Sequence, residues 1–155
     1  MERIAVAIED SIKYWKRFKR REYDMTDKSY EFNMNYAVAT TAMNIDAKAI
    51  VAYTKTGDTP KMVSSFGVEC PIFAITQDEI TYRQLGLCFG IIPKLFEPQP
   101  SIDELLSKGV DKLIEEKFLV KKDKVVVAGG KEILEEKYLD NKMSTNAVIG
   151  GILEI

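Results

Sequence analysis

The side chains best suited to chemistry gather in one short stretch, Thr54-Lys55-Thr56-Gly57-Asp58-Thr59. Three hydroxyls, one ammonium and a glycine stand just ahead of Pro60, which suits the first position of a helix with Thr59 as its N-cap. A turn of this composition offers free N–H groups and hydroxyl donors to an anion, most simply a phosphate. Asp58 opposes that reading, because a carboxylate inside the cradle repels phosphate; it serves equally to cap the helix or to face solvent. The residues alone therefore describe either an anion-binding turn, with Thr54, Lys55, Thr56, Gly57 and Thr59 as contacts, or a well-capped helix start.

Other reactive groups are few. The 155 residues include no histidine, which removes Ser-His-Asp and Cys-His nucleophiles and the usual His-based zinc and iron sites. Cys70 and Cys88 have no nearby base and read as small core residues. Two cysteines make neither a disulfide framework nor a zinc set, which fits a reducing compartment such as the cytoplasm. Glu132, Glu135, Glu136 and Asp140 read as a solvated helical face, and Gly129-Gly130 either admits a ligand backbone or turns the chain. No catalytic residue, metal set or cofactor is expected, so the chain reads as one that binds or assembles.

Composition agrees. Twenty-two basic and 24 acidic side chains leave a net charge of −2, with 46% apolar and 30% charged residues, as in an ordinary globular domain. A near-neutral chain does not advertise nucleic acid as a partner. No apolar run is long enough to span a bilayer, and the N-terminus lacks a secretory h-region. One domain over residues 1–155 is expected.

The elements that must position the candidate turn follow from periodicity. Ile4, Ile8, Ile12 and Trp15 mark one face of a helix over residues 1 to about 20, which ends in Lys16, Arg17, Lys19, Arg20 and Arg21. A second helix is expected over 30–44, with small residues at Ala37, Ala39 and Ala42 allowing close approach. Residues 47–53 form an apolar run of the kind found in strands covered on both faces. A helix from Pro60 buries Met62, Val63 and Phe66 and ends at Gly67. Strands are then expected over 71–75 and 90–96, the latter near an edge because of Pro93. Between them a helix opens on the capping box Thr76-x-x-Glu79 and stops near Gly86. Ser101-x-x-Glu104 opens another helix, burying Leu105, Leu106, Val110, Leu113 and Ile114. Residues 124–128 and 147–155 are the last two strands, the final one expected to pair antiparallel at an edge. Repeated strand–helix units predict a three-layer α/β/α fold: a five-stranded, mostly parallel sheet preceded by two N-terminal helices.

Taken in order, these segments resemble the C-terminal domain of pyruvate kinase. The likeness is carried by Ala47-Lys48-Ala49-Ile50-Val51 leading into Thr54-Lys55-Thr56-Gly57, and by Cys70-Pro71-Ile72-Phe73-Ala74-Ile75-Thr76. It continues in Tyr82-Arg83-Gln84-Leu85, Gly90-Ile91-Ile92-Pro93, Val125-Val126-Val127-Ala128-Gly129 and Thr145-Asn146. The resemblance implies a regulatory and assembly domain that is non-catalytic alone, the catalytic barrel of the parent enzyme being a separate unit. It also implies a sugar-phosphate effector such as fructose 1,6-bisphosphate at residues 54–59. Two departures stand out: Asp58, and a charged stretch over 131–144 where the family has a short glycine-rich closing loop. Homo-oligomerisation, as a dimer, is implied through Ile4, Ile8, Ile12 and Trp15 and through the last strand, with Val148 and Ile152. Two alternatives accompany this reading. One is a free-standing, dimeric phosphometabolite-binding module. The other rests on T-x-T-G-x-T, which is similar to the phosphate loop of flavodoxins and would imply flavin mononucleotide.

Overall fold

The computed structural model describes residues 12–21, 29–97, 102–120, 122–129 and 147–152. Helices α1 (Tyr14–Arg20) and α2 (Tyr30–Asn44) come first. Then follow β1 (Ala49–Tyr53), α3 (Asp58–Ser65), β2 (Ile72–Thr76), α4 (Glu79–Leu85) and β3 (Ile91–Leu95). Helix α5 (Ile102–Glu115) leads to β4 (Lys124–Gly129) and β5 (Ala147–Ile152). The strands form one sheet in the order β3-β2-β1-β4-β5. Strands β1 to β4 run parallel, and β5 pairs antiparallel with β4, Val126 lying opposite Gly150.

Strands β1 (AIVAY) and β2 (IFAIT) are buried at every position, as unbroken apolar runs require when both faces are covered. Alternation divides their side chains between two cores. Ile50, Ala52, Ile72, Ala74, Val126 and Ala128 face one core, shared with α1, α2, α3 and Leu85 of α4. Ala49, Val51, Tyr53, Phe73, Ile75 and Val125 face the other, shared with Leu113 of α5 and with Leu119. Ala39 and Ala42 are fully buried, so the small-residue face of α2 lies close on the sheet, near β4 and β5.

Aromatic rings fasten α1 to this assembly. Phe18 stacks on Tyr36 with ring centroids 5.7 Å apart and meets Phe66 edge-on, while Phe32 lies parallel to Tyr36 and edge-on to Phe66. Trp15 abuts Phe18, and its backbone N–H donates to Glu69. Trp15 is thus partly buried against the chain's own core. The expected unbroken helix over residues 1 to about 20 is corrected: residues 12 and 13 are not helical, α1 begins at Tyr14 and Ile12 precedes it, half-buried, while Ile4 and Ile8 lie outside the described residues.

Two local expectations are corrected. Helix α3 starts at Asp58, with Gly57 as N-cap at φ +86, so Thr59 and Pro60 occupy its first turn and Thr59 is not the cap. The Thr54 hydroxyl accepts the Gly57 N–H at 2.8 Å and closes the turn before Thr59 is reached. Helix α4 is capped by Asp78, not Thr76. Thr76 stays in β2, registered opposite Leu95, and its hydroxyl accepts from the Asp78 N–H. The flavodoxin alternative implies the strand order 2-1-3-4-5, which differs from the order found.

Candidate functional site

The sheet order sets where a ligand crevice would open. From β1 the chain winds outward through β2 to β3, then returns so that β4 lies on the other side of β1. The crossovers therefore diverge between β1 and β4, the switch point outside whose carboxyl ends open α/β sheets bind ligands. The turn 54–59 follows β1 directly at that end, and Gly129 ends β4 beside Tyr53.

The turn is internally braced. Thr54 is buried, and its hydroxyl is occupied by the Gly57 N–H. Thr59 is buried in the first turn of α3. Thr56 is exposed and donates its hydroxyl proton to Asp58 Oδ2 at 2.7 Å, so the carboxylate that opposed phosphate binding engages a candidate contact. The Lys55 side chain reaches solvent while its carbonyl is held from outside by the Thr81 hydroxyl at 2.8 Å. The turn thus presents Lys55 and Thr56 outward and keeps Thr54 and Thr59 inward.

Asp78 lies on the neighbouring β2–α4 turn. Its Oδ2 accepts the Thr81 N–H at 2.7 Å. That N–H above all and, more weakly, the Ile80 N–H and the charge of Lys55 hold the Asp78 carboxyl below its ordinary value of 3.8. A lowered folded-state value means a stabilisation present above the ordinary pKa and lost as pH falls through the folded one. Urea midpoints should therefore favour the wild type over Asp78→Asn near neutral pH, and this gap should close on acidification below about pH 4. A gap that does not change with pH would assign the cap no ionic part.

The sequence reading did not single out Thr81, Asp78 or Leu85 for this site. The available signal was Thr81 and Leu85 four apart on one face of α4: a hydroxyl where an apolar residue would be expected.

Elsewhere, two clefts lie at the opposite, amino-terminal edge of the sheet. One of about 420 Å³ is bordered by Trp15, Lys48, Glu69, Lys122 and Lys124, and one of about 380 Å³ by Tyr14, Val68, Pro71, Phe89 and Ile92. Cys70 borders both, and burial pushes its thiol up to about 12, so it is not a thiolate at neutral pH. No helix among the described residues is long and apolar enough to cross a membrane.

Comparison with known proteins follows the same line. The family described as "Pyruvate kinase, alpha/beta domain" matches residues 33–146. A pyruvate kinase of Sporosarcina psychrophila is 32% identical over 130 residues, covering 84% of this chain and 22% of its own length. Those of Clostridium acetobutylicum and Clostridium perfringens are 33% and 34% identical, again over 84% of this chain and over 27% and 28% of theirs. The chain therefore spans about a quarter of the length of these relatives. Cryptosporidium parvum pyruvate kinase, solved in complex with ADP, superposes with a TM-score of 0.72. That likeness covers 93% of this chain and 27% of the other at 16% identity, and it shows the shared fold.

Proposed function

This chain belongs to the pyruvate kinase α/β-domain family, and from that premise we propose that it is a regulatory and assembly domain of a pyruvate kinase, non-catalytic on its own. In this reading the turn 54–59 receives a phosphate of a sugar-phosphate effector, with Lys55 and Thr56 as the outward contacts. The observation that carries it is the position of the turn. It sits at the β1/β4 switch point and opens an eight-residue helix, whose N-terminal N–H groups favour an anion. Thr54, Gly57 and Thr59 shape the turn from within. Asp58 competes with the effector for the Thr56 hydroxyl.

Assembly rests on β5. It occupies one end of the sheet, so its outer edge has no partner strand among the described residues, and edge pairing across a two-fold axis makes a homodimer. Val148 and Ile152 lie on this strand; Trp15 on α1 and Ile12 just ahead of it would contribute only at their exposed margins. The other partner is the catalytic part of the parent enzyme, and the setting is the cytoplasm.

Titration calorimetry tests the effector site. Fructose 1,6-bisphosphate should give saturable heat that disappears in the Lys55→Ala, Thr56→Ala double variant, and a flat wild-type titration removes this site. The same preparation, offered phosphoenolpyruvate and ADP, should form no pyruvate; measurable turnover contradicts the non-catalytic role.

A further inference from the structure

The turn 54–59 is fixed in part by a residue 26 positions away, and we infer that Thr81 is its positioning residue, setting from α4 the conformation in which Lys55 and Thr56 face outward. Thr81 is buried and works from two sides. Its hydroxyl donates to the Lys55 carbonyl at 2.8 Å, fixing the peptide that precedes Thr56. Its methyl crowds the space beside Gly57: a Cβ there would be 3.3 Å from Thr81 Cγ2 and 3.2 Å from Leu85 Cδ2.

Thr81 is itself anchored. Its N–H is held by Asp78, whose own N–H is held by Thr76 at the end of β2. Thr54 is tied to the same strand through its N–H to the Ile75 carbonyl at 2.9 Å. The turn therefore hangs between two supports on β2: Ile75 at its start, and Thr81, through Asp78 and Thr76, at its middle. Within the turn, the Thr54–Gly57 hydrogen bond reports whether that shape is kept. A hydroxyl has one proton to give, and here it goes to the Lys55 carbonyl; valine keeps the shape of threonine without that donor.

Amide exchange followed by NMR tests the assignment without a ligand. In Thr81→Val the Gly57 amide should exchange about fivefold faster or more, the range expected for loss of one net hydrogen bond. Thr81→Ser, which keeps the donor and loses only the methyl, should return most of that protection. Ile50 and Ile72, whose amides donate within the sheet, should keep theirs. An unchanged Gly57 rate in Thr81→Val, a serine variant no better than valine, or equal loss of protection at Ile50 and Ile72 each overturns the positioning role. A second arm rests on the effector reading above. If wild type binds fructose 1,6-bisphosphate, Thr81→Val should weaken binding about tenfold and Thr81→Ser should not. Unchanged affinity in Thr81→Val overturns the link between Thr81 and binding. A flat wild-type titration defeats the effector reading alone, and the exchange arm still decides Thr81.

Discussion

Replacing Gly109 by valine is expected to destabilise the domain by about 3 kcal/mol, at the upper end of overpacking costs in a filled core. Gly109 lies on α5 where that helix packs against Tyr53 of β1 and Ile75 of β2. A Cβ at this position would stand 2.5 Å from Ile75 Cδ1 and 2.7 Å from the Tyr53 hydroxyl. Both neighbours are buried, so neither side chain can swing into solvent to make room. Burial also raises the Tyr53 pKa, so the phenol beside Gly109 stays neutral. Opposing effects make alanine informative. Gly→Ala inside a helix gains about 1 kcal/mol from propensity, whereas the clash costs roughly 1–3 kcal/mol. A net loss, read from urea unfolding midpoints, is therefore expected even for the smallest side chain. Ile75→Val removes the nearest atom. Alone it should cost about 1 kcal/mol, but in the Gly109→Ala background it should cost less or nothing, because the two positions share one space. Additive losses would mean that α5 moves away as a body and Ile75 does not limit the packing.

This contact was not legible in the sequence, and the reason is instructive. The helix over 102–115 shows an apolar stripe that includes Val110 and Leu113, and that stripe gives the helix and its buried face. A glycine beside the stripe looks like a loss of helix propensity. Only the close approach to Tyr53, 56 residues earlier, explains it. Strands were easier to read, because five-residue apolar runs such as AIVAY and IFAIT are buried on both faces and need no partner to be recognised. Helix starts were harder. Thr76-x-x-Glu79 has the form of a capping box, yet Thr76 is drawn into β2 by pairing with Leu95, and the cap passes to Asp78. Local pattern lost to a strand contact nearly twenty residues away in sequence.

The candidate site was divided in the same way. Its address was legible, because a hydroxyl-rich turn between a strand and a helix implies the carboxyl end of a sheet. The direction of each side chain was not. Thr54 and Thr59 turn inward and Thr56 is occupied by Asp58, so of the outward residues only Lys55 presents a charge favourable to an anion. Thr81, which holds the turn, belongs to another helix and could be found only from the fold.

Gly57→Val should cost about 3 kcal/mol as well, by a different route, since backbone strain and crowding act together at one residue. Gly57 has φ +86, a region in which a β-branched side chain is strained wherever it points. Its absent Cβ would also lie 3.2 Å from Leu85 Cδ2, 3.3 Å from Thr81 Cγ2 and 3.4 Å from Lys61 Cε. Gly67 separates the two contributions. It has φ +70 with nothing within 4 Å of a Cβ, so Gly67→Ala carries the strain alone, about 1–2 kcal/mol. Gly57→Ala should exceed it by whatever α4 charges for a methyl group against Leu85 and Thr81. That excess, measured from paired urea unfolding curves, reads how rigidly α4 holds the turn. If Gly57→Ala and Gly67→Ala cost the same, α4 yields to the added methyl and crowding contributes nothing at Gly57.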